Sequence, residues 1–232
     1  MIILNEFETV KKIAEGVSFA KMCDGEIRYL FTGKHYYVAP HDDLRYFIKK
    51  AVLEESPDFM VGVPPSLFNF AYSPPERQGC WRGLYRDHGK EFEKLLKPRV
   101  YGSCFISRME QVPHVNCPEY WDEVRKIWKG RNVIGVRGEH FSFQEYGIFP
   151  KMREIAAPSW DAWSKTNYLI DEVKKEPKGT TVVMSCGVSS VGFAYLLWKL
   201  GYHAIDVGRM GRAFLDGSYD GYKKTLRDGK PW

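Results

Sequence analysis

Thr180-Thr181-Val182-Val183-Met184-Ser185-Cys186 leads through Gly187-Val188-Ser189-Ser190 into a mostly apolar run ending at Leu200, and Gly201-Tyr202-His203-Ala204-Ile205-Asp206-Val207 follows at once. The first and last of these runs are short, apolar and free of alternation, the pattern of strands buried on both faces. The run between them has helical length, opens on small hydroxyl residues and stops at Gly201. Strand, helix and strand in that order make a β-α-β unit, which pairs its strands in parallel.

Upstream the same alternation recurs. Asn5 and Glu8 form a capping box for a helix whose apolar face carries Phe7, Val10 and Ile13, and Gly16 ends it. Val17 to Met22 reads as a buried strand, followed by the acidic turn Asp24-Gly25-Glu26. Leu44, Phe47, Ile48, Ala51 and Val52 give the i, i+3, i+4 stripe of a helix over residues 42–55. A strand at Phe59 to Val63 is stopped by Pro64-Pro65. Further helices are predicted over 91–96, 120–128 and 158–175, and further strands over 99–106, 132–136 and 152–156. Residues 64–90, with Pro74-Pro75, Gly79, Gly83 and Gly89, are expected to be irregular, as binding loops and lids often are. The fold class is therefore α/β: a Rossmann-like, mostly parallel sheet flanked by helices, in a single domain over residues 1–232.

Composition narrows the chemistry. The chain has 232 residues, 44% hydrophobic and 27% charged, which excludes disorder, collagen-like repeats and a disulfide scaffold. The net charge of +5 permits an anionic partner without demanding one, and +3 of it falls beyond residue 208 in a Gly-rich tail, 209–232. Cys23, Cys80, Cys104, Cys117 and Cys186 are odd in number and widely spaced, with no C-x-x-C, so neither a disulfide framework nor a thiolate zinc site fits. The first ten residues lack a basic stretch followed by an apolar run, and no apolar stretch approaches ~20 residues, so no signal peptide or membrane span is expected and a cytoplasmic location is. The aromatic load is high, with 14 Phe, 14 Tyr and 7 Trp. Trp121, Trp128, Trp160, Trp163, Tyr195 and Trp198 lie at helical spacings and are assigned to the core, whereas Phe68, Phe70, Tyr72 and Trp81 in the irregular segment are candidates for stacking on a ligand.

Three strand ends can carry chemistry. Asp24-Gly25-Glu26 follows a buried strand, where open α/β sheets bind ligands, and two carboxylates one glycine apart can hold a hard divalent cation; a solvated acidic turn is the alternative. Gly187-Val188-Ser189-Ser190 opens a helix whose N–H groups favour an anion, with hydroxyls to add hydrogen bonds, or is a plain βα connection with a serine cap. Asp206-Val207-Gly208-Arg209 again sets an acid and a glycine at a strand end, where Asp206 can bind ribose hydroxyls, act as a base or cap the next turn. Cys186 is either a nucleophile or a small buried residue. G-x-G-x-x-G, G-K-[ST] and G-x-S-x-G are all absent, which argues against dinucleotide enzymes, P-loop NTPases and α/β-hydrolases.

Taken in order, these sites resemble the GT-D class of glycosyltransferases, first catalogued as a bacterial domain of unknown function. The matching stretches are Phe19-Ala20-Lys21-Met22-Cys23-Asp24-Gly25-Glu26, Ser107-Arg108, Val136-Arg137-Gly138-Glu139, Pro158-Ser159-Trp160-Asp161-Ala162-Trp163, Gly187-Val188-Ser189-Ser190, and Gly201-Tyr202-His203-Ala204-Ile205-Asp206-Val207-Gly208-Arg209. They span roughly residues 15–210. Lys21 stands where the family has Arg, Cys23 replaces a glycine, Val188-Ser189-Ser190 replaces Pro-Thr-Ala, and Arg209 replaces a His.

The resemblance implies transfer of a sugar from a nucleotide diphosphate sugar, UDP-linked, to an acceptor hydroxyl, with Mn²⁺ or Mg²⁺ on the diphosphate. On that reading Asp24 and Glu26 place the metal. Lys21, Gly25, Ser107, Arg108, Gly187, Ser189, Ser190, Asp206 and Arg209 surround the donor, and Glu139 is the candidate base for the acceptor hydroxyl. The acceptor is a glycan or glycoprotein, or alternatively a modified base in DNA. A nucleotide-binding module without turnover is the reading from another class.

Overall fold

The computed structural model describes residues 1–216. In chain order these form β1 (Ile2–Ile3), α1 (Glu6–Ala14), β2 (Ser18–Lys21), α2 (Asp24–Thr32), α3 (Asp42–Leu53), β3 (Phe59–Val63), α4 (Pro65–Phe68), α5 (Pro75–Leu84), α6 (Lys90–Leu95) and β4 (Val100–Ser103). Then follow α7 (Pro118–Lys126), β5 (Val133–Gly138), β6 (Arg153–Ala157), α8 (Thr166–Val173), β7 (Thr181–Ser185), α9 (Ser189–Lys199), β8 (His203–Asp206) and α10 (Met210–Asp216).

The eight strands form one sheet in the order β1-β4-β3-β2-β8-β7-β5-β6, and every pairing is parallel. All residues of β2, β3 and β8 are buried, as strands covered on both faces should be. From β2 the chain moves outward through β3 to β4, and the later strands fill the other side until β8 closes against β2, Phe19 pairing with Ile205. The strand order therefore reverses between β2 and β8. At such a reversal the connections leave on opposite sides and open a crevice beyond the carboxyl ends.

The capping box at Asn5 forms as expected, with Asn5 Oδ1 accepting from the Glu8 N–H and Glu8 Oε2 accepting from the Asn5 N–H, each at 2.9 Å. Two other expectations are corrected. Asp24-Gly25-Glu26 is not a turn but the first turn of α2, because the Glu26 carboxylate reaches back 2.9 Å to the Cys23 N–H and caps a nine-residue helix. Residues 64–90 are largely helical, with Pro65 and Pro75 each at the first position of a helix, where the missing N–H costs nothing. Continuity from α5 to α6 runs through a wider π-type turn at Tyr85–Gly89.

The aromatic residues divide differently from the expectation. Trp81 is buried, its indole N–H donating to Gln111 Oε1 at 3.0 Å and its ring 5.3 Å from Phe105, so it belongs to the core. Phe68, Phe70 and Tyr72 pack against that core, and the Tyr72 hydroxyl donates to the buried Glu6 carboxylate. Trp160, assigned to the core on spacing, is 61% exposed. Among the described residues no helix is long and apolar enough to cross a membrane. Most of the basic tail, residues 217–232, lies outside the described residues.

Candidate functional site

The crevice at the strand reversal gathers most of the expected residues. Lys21 ends β2 and Asp206 ends β8, and both side chains are buried. Asp206 Oδ1 accepts from the Gly208 N–H at 3.0 Å, while Asp206 Oδ2 is buried with no hydrogen-bond partner among the described residues. Ser107, in the turn after β4, is in the same condition: its Oγ is buried and unpartnered among the described residues. Gly208 ties the two sides together. A Cβ there would lie 2.8 Å from Lys21 Nζ and 3.3 Å from Ser107 Oγ, and its φ of +49° favours glycine. A buried polar atom without a partner costs about 1–3 kcal/mol, so the two near the Lys21 ammonium make this the candidate position for a ligand.

Charge in the crevice is mixed. Burial by itself would lower the Lys21 ammonium pKa, but Cys23, Asp206 and Glu26 around it push it above the ordinary value, so Lys21 is a permanent cation. Burial pushes the Asp206 carboxyl up to about 7, against the opposing pull of Lys21 and with the help of Glu26. Arg108 sits at the mouth, its Nε on Glu110 Oε1 and its Nη1 3.8 Å from Asp24 Oδ1. Burial works against the Arg108 cation, and Glu110, Cys23 and Asp24 more than offset it. Burial would raise the Glu110 carboxyl, yet Arg108 and Arg209 hold it below the usual range, which places Arg209 at the same mouth.

The two carboxylates of the acidic triplet have separate tasks. Asp24 is part-exposed on the first turn of α2, in loose contact with Arg108. Glu26 is buried and spends Oε2 on the Cys23 N–H. Gly25 is helical, and the reason for glycine is contact: a Cβ would meet the His35 imidazole at 2.9 Å. Beneath the triplet, Cys23 Sγ lies 2.8 Å from Cys104 Sγ, although 81 residues separate these free cysteines in the chain.

The α9 turn borders the crevice through Ser185, whose hydroxyl donates 2.8 Å to the Gly208 carbonyl. Ser189 and Ser190 are turned inward, and Ser190 Oγ accepts from the Cys186 N–H at 2.8 Å, so what faces outward is backbone, with Gly187 at φ +57°. Burial, with Asp206 nearby, pushes the Cys186 thiol up to about 12, which leaves it protonated and weakly nucleophilic. Glu139 is not brought to this cluster. It follows β5, three strands from β2 and therefore about 14 Å across the sheet, and its exposed carboxylate faces the Ser159 N–H at 3.5 Å. Sequence reasoning missed Glu110 and His35. Glu110 belongs to no motif, and only the fold shows what Gly208 and His35 touch.

A family profile described as "Glycosyltransferase GT-D fold" matches residues 19–229. The chain belongs to the GT-D glycosyltransferase family. Among its relatives is "Glycosyltransferase GlyD" of Streptococcus pneumoniae serotype 4 (strain ATCC BAA-334 / TIGR4), 24% identical over 215 residues, covering 88% of this chain and 26% of that protein. Another is "Probable glycosyl transferase Gly" of Streptococcus gordonii, 21% identical over 210 residues, covering 85% of this chain and 30% of that protein. The GT-D chain thus spans about a quarter to a third of these relatives. The fold matches the solved "highly conserved domain of unknown function 1792", described as a distinct glycosyltransferase fold, with a TM-score of 0.83 at 20% identity, covering 97% of this chain and 82% of that one. It also matches "A New Glycosyltransferase (DUF1792) from Streptococcus sanguinis", with a TM-score of 0.81 at 20% identity, covering 99% of this chain and 85% of that one.

Proposed function

We propose that this GT-D chain transfers a sugar from a nucleotide diphosphate sugar, UDP-linked, to an acceptor hydroxyl, and that the crevice between β2 and β8 holds the diphosphate. The observation that carries the reading is the cluster around Gly208: a buried ammonium from Lys21 beside the unpartnered Ser107 Oγ and Asp206 Oδ2. A diphosphate supplies acceptor oxygens for Lys21 and Ser107. Neighbouring ribose or sugar hydroxyls supply donors for Asp206 Oδ2. Cleavage of the donor leaves negative charge on the nucleotide diphosphate, and preset cations and backbone N–H groups lower the cost of that charge. On this reading Lys21, Arg108 and the turn opening α9 serve this task, supported by Glu110 on the Arg108 guanidinium.

A divalent cation fits in one way. No three His, Cys, Asp or Glu side chains among the described residues converge as a cage. Mg²⁺ and Mn²⁺ usually keep one or two carboxylates and complete their shell with phosphate oxygens and water. Asp24 meets that requirement as the part-exposed carboxylate, with Glu26 setting its position by capping the turn. When bound there, the cation offsets charge on the leaving diphosphate. Glu139, three strands from β2, is too far from this cluster to be assigned the proton of the attacking hydroxyl, and the base is left unassigned.

The test is a thermal-shift panel of UDP-sugars with and without Mn²⁺, together with UDP release, in the unaltered chain and in Asp24→Ala. A ligand that binds only the folded state raises its melting temperature. The expected result is a Mn²⁺-dependent shift with UDP-sugar that Asp24→Ala abolishes, with UDP release reduced at least a hundredfold. Equal shifts and equal rates in the two proteins end the assignment.

A further inference from the structure

Cys23 and Cys104 stand 81 residues apart in the chain, and the fold sets their buried Sγ atoms 2.8 Å from each other. Strand order brings them there. β3 lies between β2 and β4, with Lys21 level with Gly62 and Gly62 level with Gly102, so the residues that follow β2 and β4 emerge on either side of the end of β3. β3 stops at Val63 and Pro64-Pro65 turns into α4, which lets the two thiols close over that end. Gly62 leaves the room, since a Cβ there would crowd the Cys104 Cα at 3.2 Å.

Each cysteine leads into one wall of the crevice. Cys23 is the N-cap of α2 and directly precedes Asp24. Cys104 opens the short turn Cys104–Ser107, which leads to Arg108. A bond between the sulfurs would join the wall that carries Asp24 to the wall that carries Arg108, whose Nη1 lies 3.8 Å from Asp24 Oδ1. A buried cysteine is often no more than a small apolar residue. Packing, however, needs no second sulfur, and Cys23 stands where the family has glycine, so this chain sets a thiol directly against another. Disulfide sulfurs lie ~2.05 Å apart, so closing the contact takes a movement of less than about 1 Å.

We propose that Cys23 and Cys104 are a disulfide-forming pair that braces the two walls of the crevice when the chain meets a small-molecule disulfide such as oxidised glutathione. One cysteine sulfur attacks the glutathione disulfide, forming a mixed disulfide and releasing one reduced glutathione. The second cysteine sulfur attacks the protein sulfur of that mixed disulfide, forming the Cys23–Cys104 bond and releasing the other. Two electrons pass from the protein thiols to the glutathione disulfide, and the two thiol protons leave on the two glutathione molecules.

The folded chain and the chain refolded from urea are each incubated with oxidised glutathione, alkylated, and digested with trypsin without reduction. Cleavage releases Cys23 in peptide 22–28 and Cys104 in peptide 100–108, each with no other cysteine. Mass spectrometry is expected to find these two peptides joined. The bond spans 81 residues of chain, and constraining the unfolded state over such a loop is expected to raise Tm by about 10 °C. Dithiothreitol should reverse the rise, and Cys23→Ala and Cys104→Ala should not show it. Recovery of the two peptides unjoined in both preparations, their joining to glutathione or to other cysteines instead, or a joined chain with lowered Tm overturns the proposal. The pairing stands without the donor reading; its effect on the donor rests on that reading. Because the bond holds the walls near their present separation, the joined chain is expected to keep its UDP-sugar affinity within about twofold, and loss of the donor shift in the joined form alone overturns the brace. Failure of the donor reading shows separately, as a missing UDP-sugar shift in both the reduced and the joined chain.

Discussion

At the scale of single residues, Gly208 has little freedom to change. Its positive φ and the 2.6 Å approach of a Cβ to Lys21 Cε leave no room for alanine without moving the ammonium group. Gly208→Ala is expected to cost about 1–3 kcal/mol and to weaken UDP-sugar binding, measured by urea denaturation and by the donor-induced melting shift. An alanine variant with unaltered stability and donor shift would contradict this role. The sequence marks Lys21, Asp24 and Asp206 because charged residues at the ends of apolar strands stand out. Nothing linear marks Ser107 as unpartnered, or Glu110 as the carboxylate between Arg108 and Arg209.

At the scale of elements, α2 separates two readings of Glu26. A carboxylate that only caps the helix can be replaced by a neutral acceptor of the same shape; a metal ligand cannot. The geometry, with Glu26 Oε2 on the Cys23 N–H, leads to a specific expectation. Glu26→Gln keeps stability and the Mn²⁺-dependent donor shift within about twofold, whereas Glu26→Ala costs about 1 kcal/mol and loses the shift. Loss of the shift in both, with stability intact in the glutamine variant, would show direct ligation. The helix itself was hidden because D-G-E looks like a turn: glycine has poor helix propensity, and only the His35 contact explains its presence. The segment 64–90 misled for a related reason. Its prolines stand at helix starts, where they are tolerated, rather than in helix interiors.

Across the whole molecule, the central strand β8 carries opposing titrations at its two ends. Asp206, pushed up to about 7, keeps a proton in the folded chain that the unfolded chain releases near pH 3.9. Its contribution to stability is complete below that value and is lost as pH rises through 7. His203 is bonded to Arg131 and Val17, and burial followed by Arg131 lowers it to about 4 from an ordinary ~6.5. Its contribution is complete above pH ~6.5 and is lost as pH falls through 4. The two slopes therefore oppose each other between pH ~4 and ~6.5. Asp206→Asn removes the falling limb, so stability measured by urea denaturation should climb across that window and stay level to pH 7.5, while the unaltered chain stays nearly flat and then declines toward pH 7. Parallel profiles for the two proteins would show that Asp206 does not titrate there.

The sequence by itself determined the layered α/β architecture and the strand ends that bear charge, because burial on both faces writes itself as unbroken apolar runs whatever their neighbours. It also carried the ordered motifs of the GT-D family. Strand order, and with it the crevice between β2 and β8, was decided only by tertiary structure, since parallel strands carry no local mark of which neighbour they pair with. The same holds for Trp160. Its spacing is that of a core residue, and it faces outward because Asp161 turns left-handed to reach a loop 120 residues earlier in the chain.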